Sequence, residues 1–185
     1  MVGDLPRTIS VNGVDYEIRT DFRDIIKIII AFNDPELEDK EKAFVCLFIL
    51  YEDFDAIPKQ EYEAAYKAAL AFIDYGVGED DKHRPRTVDW EQDEKILFPD
   101  INKVAGYEVR TAEYVHWWTF VGYFLAVTEG LSSTVISLRG KKAKGKKLEK
   151  HEREFWNANK SICLLREKLT EEEQAQKDRL NALLG

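Results

Sequence analysis

The sequence has little cysteine and no long apolar run. Its two cysteines, Cys46 and Cys163, lie far apart, each within an apolar helical pattern. Two isolated thiols do not build a disulfide framework, which indicates a reducing compartment. The longest nearly continuous apolar stretch covers residues 114–127, whereas a helix that spans a bilayer needs about 20 residues. We therefore expect this stretch to form a buried core helix and predict no membrane contact.

The N-terminus also lacks the apolar core of a secretory signal peptide. Residues 1–8 contain polar and charged side chains among isolated apolar ones, so the pattern of a signal peptide is missing. Together with the reduced thiols, this observation predicts a cytoplasmic protein.

Two familiar ligand-binding motifs are present only in part. Gly140 and Gly145 are spaced as in a phosphate-binding loop, but Lys147 occupies the position that needs a hydroxyl group for Mg²⁺. Residues 89–100 resemble a calcium-binding loop, yet Glu94 stands at the sixth position, where such a loop needs glycine. We predict that neither motif binds its ligand.

The three histidines provide no metal-binding or catalytic signature. His83, His116 and His151 are widely separated in sequence, and neither cysteine lies near them, so no pair has the spacing of metal ligands. His116 lies in the most apolar segment, which favours a hydrogen-bonded core or interface imidazole over a catalytic one. A dyad assembled in space stays open as an alternative, but we predict no enzyme, no cofactor and no metal.

Charge is distributed unevenly along the chain. The net charge is −8, but residues 139–150, here called the basic segment, hold seven basic side chains and one glutamate, a local sum of +6. All other residues therefore sum to −14. The surface of a general nucleic-acid binder would be broadly positive. We expect one local electrostatic contact and regard nucleic acid as an improbable partner.

The chain begins with a clear hairpin signal. Apolar and polar residues alternate on both sides of Asn12-Gly13, a dipeptide that suits a type I′ turn because both of its central residues need positive φ. We predict a β-hairpin over about residues 8–19. A lone hairpin is marginally stable in water, so its apolar face must pack on another element.

Apolar periodicity then predicts a series of helices. We place them at about residues 21–32, 39–51, 59–75 and 111–128, with one more that begins at Asp89 and ends near Pro99 or at Ala105. Residues 76–88 are polar and predict an exposed loop. The predicted fold is mainly α, with a single helical domain that includes the N-terminal hairpin (residues 1–138). A C-terminal extension of a basic loop and helices follows it (residues 139–185).

Adjacent tryptophans in His116-Trp117-Trp118-x-Phe120 are the first candidate for partner binding. Neighbouring residues on a helix point about 100° apart, so Trp117 and Trp118 can both be core residues only if the helix is enclosed on more than one side. Otherwise one ring anchors a partner, as aromatic side chains do at interfaces. Both interpretations stay open at this point.

The basic segment and the helix after it are the second candidate. The lysines of interest are Lys141, Lys142, Lys144, Lys146 and Lys147. The pattern that follows predicts an amphipathic helix with an apolar stripe formed by Phe155, Ile162, Leu165 and Leu169. The extension either is a solvated loop with a helix packed on its own domain, or docks an acidic helical partner. In the second case the lysines steer the encounter and the stripe supplies affinity.

Several of these pieces together resemble a family of small proteins from tailed phages and prophages of Gram-positive bacteria. Its members are encoded among the tail genes, close ahead of the tape-measure protein. The resemblance covers about residues 5–155, with one departure at Tyr107-Glu108-Val109, where an aliphatic-Asp-Leu run is expected. It is carried by the hairpin and Thr20-Asp21-Phe22-Arg23, Asp89-Trp90-Glu91-Gln92-Asp93, Gly106-Tyr107, His116-Trp117-Trp118-x-Phe120, and Arg139 with the lysines after it.

The resemblance implies a tail-assembly chaperone in the cytoplasm of the bacterial host. Such a protein would coat the helical tape-measure protein and be displaced as tail-tube subunits polymerise. Other tail proteins and a second copy of the chain are further candidate partners, and the family offers no catalytic residues. The alternatives are a structural minor tail protein retained in the virion, an enzyme of unrecognised type, and a nucleic-acid binder that uses Lys141–Lys147.

Overall fold

The fold is mainly helical, as predicted. The computed structural model describes residues 3–75 and 85–184, and the expected loop at residues 76–88 lies mostly outside them. In the described residues, a two-stranded hairpin precedes nine helices. The strands are β1 Thr8–Val11 and β2 Val14–Glu17, and the helices are α1 Phe22–Phe32, α2 Asp39–Leu50, α3 Tyr62–Ile73, α4 Glu94–Ala105, α5 Trp117–Leu125, α6 Leu131–Ala143, α7 Lys150–Ala158, α8 Lys160–Cys163 and α9 Glu171–Leu184.

The N-terminal hairpin has the predicted turn. β1 and β2 are antiparallel, and Val11 lies opposite Val14 across the turn. Asn12 and Gly13 adopt φ angles of 49° and 88°, as a type I′ turn requires. Ile9 and Val11 are buried in the main core, so the apolar face of the hairpin is covered as its marginal stability demands.

An extended segment between β2 and α1 joins the two halves of the main core. Ile18 forms a β-bridge with Tyr51, and Asp21 forms one with His116. The carbonyl of Thr20 accepts a hydrogen bond of 2.7 Å from the amide of Trp117. The start of α1 is thereby held beside the start of α5, and the rings of Phe22 and Phe120 stack with centroids 4.3 Å apart.

The helix predicted from Asp89 begins five residues later. The Asp89 carboxylate accepts hydrogen bonds of 2.9 Å from the amides of Glu91 and Gln92, which holds a turn before α4. Of the two predicted ends, Ala105 is the observed one, because Pro99 lies inside α4. Pro99 is exposed, so water can solvate the backbone carbonyl that the proline leaves without a donor.

The helix predicted at residues 111–128 is shorter, which corrects the sequence-based boundary. Only Trp117–Leu125 is α-helical, and a 3₁₀ turn covers Val109–Thr111. The carbonyl of Val115 accepts from the amide of Phe22 at 3.0 Å. This pairing keeps the residues before α5 extended, which periodicity within the segment could not indicate.

The C-terminal part differs from the predicted basic loop and continuous amphipathic helix. α6 continues through Ala143, so the proposed division at residues 138 and 139 falls inside a helix and stays a prediction. A second, smaller core joins α6, α7 and α8, and its buried members are Val135, Leu138, Trp156 and Cys163. Asn159 ends α7, and the chain after Cys163 is not helical until α9.

α9 begins at a capping box, which the pattern of Thr170 followed by Glu173 indicates in the sequence. The Thr170 hydroxyl accepts from the amide of Glu173 at 3.1 Å, and the Glu173 carboxylate accepts from the amide of Thr170 at 2.9 Å. Residues 171–180 are all exposed. α9 is therefore a polar helix that buries none of these side chains against its own chain.

Candidate partner-binding surfaces

A buried ion pair holds the C-terminal helices onto the main domain. Arg139 of α6 and Asp93, just before α4, form a bidentate pair with N–O distances of 2.5 and 2.9 Å. The other donors of the guanidinium reach three backbone carbonyls at 2.7–2.9 Å, those of Thr87, Ile162 and Cys163. All five N–H groups of Arg139 are thus satisfied.

This ion pair changes the interpretation of the basic segment. Arg139 is one of the seven basic side chains of the segment, but it is only 3% exposed and its charge is matched by Asp93. Asp93 and Arg139, which are among the residues that carry the family resemblance, therefore stabilise the fold. The remaining lysines of the basic segment carry its outward charge.

Those lysines separate into three environments. Lys142, Lys146 and Lys147 line one open cleft, Lys141 is ion-paired with Glu152, and Lys144 and Lys150 are exposed outside the cleft. Whether any of them binds a partner stays a prediction.

The cleft, here called the cationic cleft, lies between the end of α6 and helices α7 and α8. Its volume is about 880 Å³. Five cationic side chains line it, and no carboxylate of the described residues does; the cations are Lys142, Lys146, Lys147, Arg153 and Lys160. The ammonium group of Lys142 lies 4.6 Å from the centroid of the Trp156 ring at its wall, a cation–π distance. The geometry suits an acidic segment of a partner.

The predicted apolar stripe is not a continuous helical face. Phe155 and Ile162 are half-buried against the second core, whereas Leu165 and Leu169 lie in the non-helical stretch before α9. That stretch is bound to Gln92, whose side chain donates to the carbonyl of Leu164 at 2.7 Å and accepts from the amide of Arg166 at 2.8 Å. The helical prediction for Leu165 and Leu169 was therefore wrong, and Gln92 holds the extended backbone at the neighbouring residues Leu164 and Arg166.

The two tryptophans both lie against the end of α3. Trp117 is buried and its indole N–H donates to the carbonyl of Ile73 at 2.9 Å. Trp118 is half-buried, donates to the carbonyl of Phe72 at 3.0 Å, and stacks on the Phe72 ring. α5 is enclosed on more than one side, which is the condition under which both rings can belong to the core.

His116 caps α5. Its Nδ1 accepts from the amide of Trp118 at 3.0 Å, and its Nε2 lies 2.9 Å from the carbonyl oxygen of Pro6. An acceptor at Nδ1 places the proton of the neutral ring on Nε2, which donates to Pro6. Burial lowers the pKa of His116, against a smaller opposite effect of the Pro6 carbonyl. The imidazole is buried and hydrogen-bonded, as the sequence favoured.

In the described residues, the cysteines and the remaining histidines do not form a reactive centre. Burial raises the pKa of the Cys46 thiol to about 12 and also raises that of Cys163, so neither is an activated nucleophile. Residues 3–75 and 85–184 contain no cluster of three metal-ligating side chains. His151 is exposed, and His83 lies outside the described residues. Over the same part of the chain, no helix is both long and apolar enough to cross a bilayer.

A surface that the sequence analysis did not single out lies on α2. Phe44 and Phe48 are 52% and 58% exposed, although α2 buries Cys46, Leu47 and Leu50 on its inner side. Their rings lie 6.0 Å apart in a stack. Apolar residues on several sides of α2 were visible in the sequence, and a helix with that pattern on a protein surface leaves one face without a partner.

The exposed rings rest on further aromatic side chains. Phe54 lies 5.4 Å from Phe44 and 6.1 Å from Phe48 between ring centroids, and Tyr62 lies 5.2 Å from Phe54. We call these four side chains the aromatic face. Contiguous exposed apolar surface of this kind marks interaction sites in soluble proteins.

Comparison with known proteins decides the family. The family model described as Bacteriophage Gp15 protein matches residues 1–165. The chain belongs to this bacteriophage family. The match includes every element from the hairpin to α8, which confirms that the resemblance to phage proteins covered most of the chain. No curated protein and no solved structure matches the chain.

Proposed function

We propose that this member of the phage family is a tail-assembly chaperone that binds amphipathic helical segments of the tape-measure protein. The observation that carries the proposal is the aromatic face, where two phenylalanines one helical turn apart are more than half exposed. An amphipathic helix presents apolar side chains at the same spacing, so the two surfaces can pack against each other.

A chaperone of this kind must bind the tape-measure protein but does not need to catalyse a reaction. A tape-measure protein made largely of amphipathic helix would aggregate if its apolar faces were exposed. Two phenylalanines offer burial of apolar area, and covering each ring would contribute about 1–2 kcal/mol. Nearby lysines and glutamates can adjust to charges of the partner, and no nucleophile is needed.

The proposal is tested by co-expressing the chain with the tape-measure protein of its phage, followed by affinity capture and size-exclusion chromatography with light scattering. We expect a soluble complex with the wild type and an insoluble tape-measure protein in its absence. The double variant Phe44→Ser/Phe48→Ser should weaken the complex by about tenfold or more, since each lost ring removes roughly 1 kcal/mol or more of binding free energy.

A matched control replaces Val104, an exposed apolar side chain at the end of α4 that is 40% exposed, by serine. Val104→Ser should leave the complex intact, because the residue lies outside the aromatic face. Equal loss of binding in both variants would show that the effect is not local. The proposal would be contradicted if the tape-measure protein were soluble alone and eluted apart from the chain.

The presence or absence of this protein in purified virions distinguishes a chaperone from a structural component. A chaperone is absent from purified virions, whereas a minor tail protein is present at fixed stoichiometry. Quantitative mass spectrometry of purified particles makes this distinction, and stoichiometric recovery would replace the chaperone by a structural role.

A further inference from the structure

The cationic cleft has a chemical complement in the same chain. The cleft gathers Lys146 and Lys147 with three other cations and, among the described residues, no carboxylate lines it. α9 begins with Glu171, Glu172 and Glu173, three consecutive carboxylates on a helix whose first ten side chains are all exposed. One element is a basic cleft and the other is an acidic helix whose residues 171–180 are exposed.

Contacts of the connecting segment hold the start of α9 at the main domain, and no described residue of α9 lines the cleft. Lys168 is ion-paired with Glu91 at 2.5 Å, and the amide of Glu171 donates to the carboxylate of Glu36, just before α2. Gln92 holds Leu164 and Arg166 by two further hydrogen bonds. With the segment bound along the main domain, the acidic turn of α9 is presented outward.

We propose that the cationic cleft of one copy binds the acidic first turn of α9 from a second copy. Because each copy carries both surfaces, two copies can exchange their α9 helices and form a closed dimer with two identical contacts. Apolar contact accompanies the charges, since Leu164 at the cleft and Leu180 on α9 are 52% and 56% exposed. This inference does not depend on the proposed function, because it concerns a different surface and partner.

Charge distribution favours a second copy over nucleic acid. Outside the basic segment the chain sums to −14, which repels a long polyanion, while a short acidic turn touches only the cleft. Attraction between exposed charges is screened at high salt, where the Debye length falls to about 3 Å at 1 M. The dimer should therefore dissociate as salt rises.

The test is a pair of charge reversals in the full chain, studied by sedimentation velocity and light scattering. Lys146→Glu/Lys147→Glu lowers the formal charge of the cleft from +5 to +1. Glu171→Lys/Glu172→Lys changes the first turn of α9 from −3 to +1 while leaving Glu173 to form its capping box. We expect the wild type to dimerise in low salt, and each variant alone to associate at least tenfold more weakly, because each variant removes most of the charge attraction from both contacts. An equimolar mixture of the two variants should dimerise again, since one contact of that heterodimer is the wild-type contact and the other pairs the introduced glutamates with the introduced lysines.

Two controls keep the result specific. Glu113→Lys/Glu129→Lys produces the same change in net charge as the α9 variant, at exposed positions outside the proposed contact, and this variant should dimerise like the wild type. Thermal unfolding of every variant establishes that it is folded, and Lys146→Gln/Lys147→Gln provides a milder cleft variant, which should also weaken the dimer.

The outcomes divide cleanly. A wild type that stays monomeric in low salt at about 100 μM overturns the proposal, as do variants that dimerise unchanged or a mixture that stays monomeric. Binding of a different partner in the cleft would also overturn the proposal. That partner is the tape-measure protein if its complex with the chain is lost on Lys146→Glu/Lys147→Glu while the wild type alone is monomeric. It is nucleic acid if the wild type binds a labelled duplex oligonucleotide and the same variant does not.

Discussion

At the scale of single residues, this chain uses its polar buried groups to fasten segments that are distant in sequence. Arg139 satisfies all five of its donors by reaching Asp93 and three backbone carbonyls. His116 caps α5 and reaches Pro6 near the N-terminus. Such residues resemble site residues in sequence, because both kinds are polar groups within apolar surroundings.

Replacement of Arg139 should be strongly destabilising. Arg139→Met leaves Asp93 as a buried carboxylate without its cation, which costs about 3–5 kcal/mol when a buried pair loses one partner. Urea denaturation followed by circular dichroism measures the free energy of unfolding. Lys103→Met, which also removes one positive charge but from an exposed position on α4, should change it by less than about 0.5 kcal/mol. Near-equal stability of the two variants would contradict the role assigned to Arg139.

His116 should make stability fall on mild acidification. Its pKa in the folded state is lowered below the value of about 6.5 expected in the unfolded chain. The unfolded state therefore takes up the proton first, and the stability conferred by the neutral ring is lost as pH falls through 6.5 and below.

The pH effect can be isolated with His116→Asn, because asparagine is a good N-cap residue that does not titrate. We expect the unfolding free energy of the wild type to decrease more between pH 7.5 and pH 5.5 than that of the variant. Identical pH dependence of both proteins would show that His116 does not couple its protonation to folding.

Gly130 should tolerate no side chain. It precedes α6 with a φ angle of 153°, and a Cβ atom there would lie 2.3 Å from a carboxylate oxygen of Asp100. The same carboxylate accepts from the amide and hydroxyl of Ser132 at 2.8 and 2.7 Å, so Asp100 of α4 caps α6. We expect Gly130→Ala to lower the melting temperature by several degrees or more, as differential scanning calorimetry would show. A melting temperature within a degree of the wild type would contradict the close contact.

At the scale of elements, the sequence predicted those features whose determinants are local. The hairpin was predictable because Asn12-Gly13 specifies its turn, and the start of α9 because Thr170 and Glu173 form a capping box. The start of α5 was not predictable from the local sequence, because the residues before it pair with the start of α1. Likewise, Gln92 ends the helical pattern after Cys163 from 72 residues away.

Truncation separates the elements that stabilise the fold from the one that does not. A chain ending at Thr170 lacks only the exposed α9, and in dilute solution its free energy of unfolding should stay within about 1 kcal/mol of the full chain. A chain ending at Leu148 also loses Trp156, whose removal from the second core alone costs about 3–5 kcal/mol. Chemical denaturation of both truncated chains tests this order, and a large loss on removing α9 alone would contradict it.

At the scale of the whole molecule, the predicted fold class is confirmed. The candidate partner-binding site, however, is now the aromatic face rather than the residues predicted from the sequence. The sequence pointed to the tryptophan pair and the apolar stripe, but both indole N–H groups are bonded to α3 carbonyls and the stripe is divided between a helix and an extended segment. The exposure of Phe44 and Phe48 could not be predicted, since an apolar helical pattern does not indicate which side other elements will cover. Membership in a bacteriophage family is shown, and binding of the tape-measure protein is our proposal.

Capture of the tape-measure protein by the chain, with wild type and Phe44→Ser/Phe48→Ser compared side by side, is the most direct test of the account. We predict a soluble complex with the wild type, a complex at least about tenfold weaker with the double variant, and unchanged melting temperatures, because both rings are exposed. Equal binding by both proteins would contradict the assignment of the aromatic face, and a tape-measure protein that is soluble and unbound would contradict the chaperone function itself.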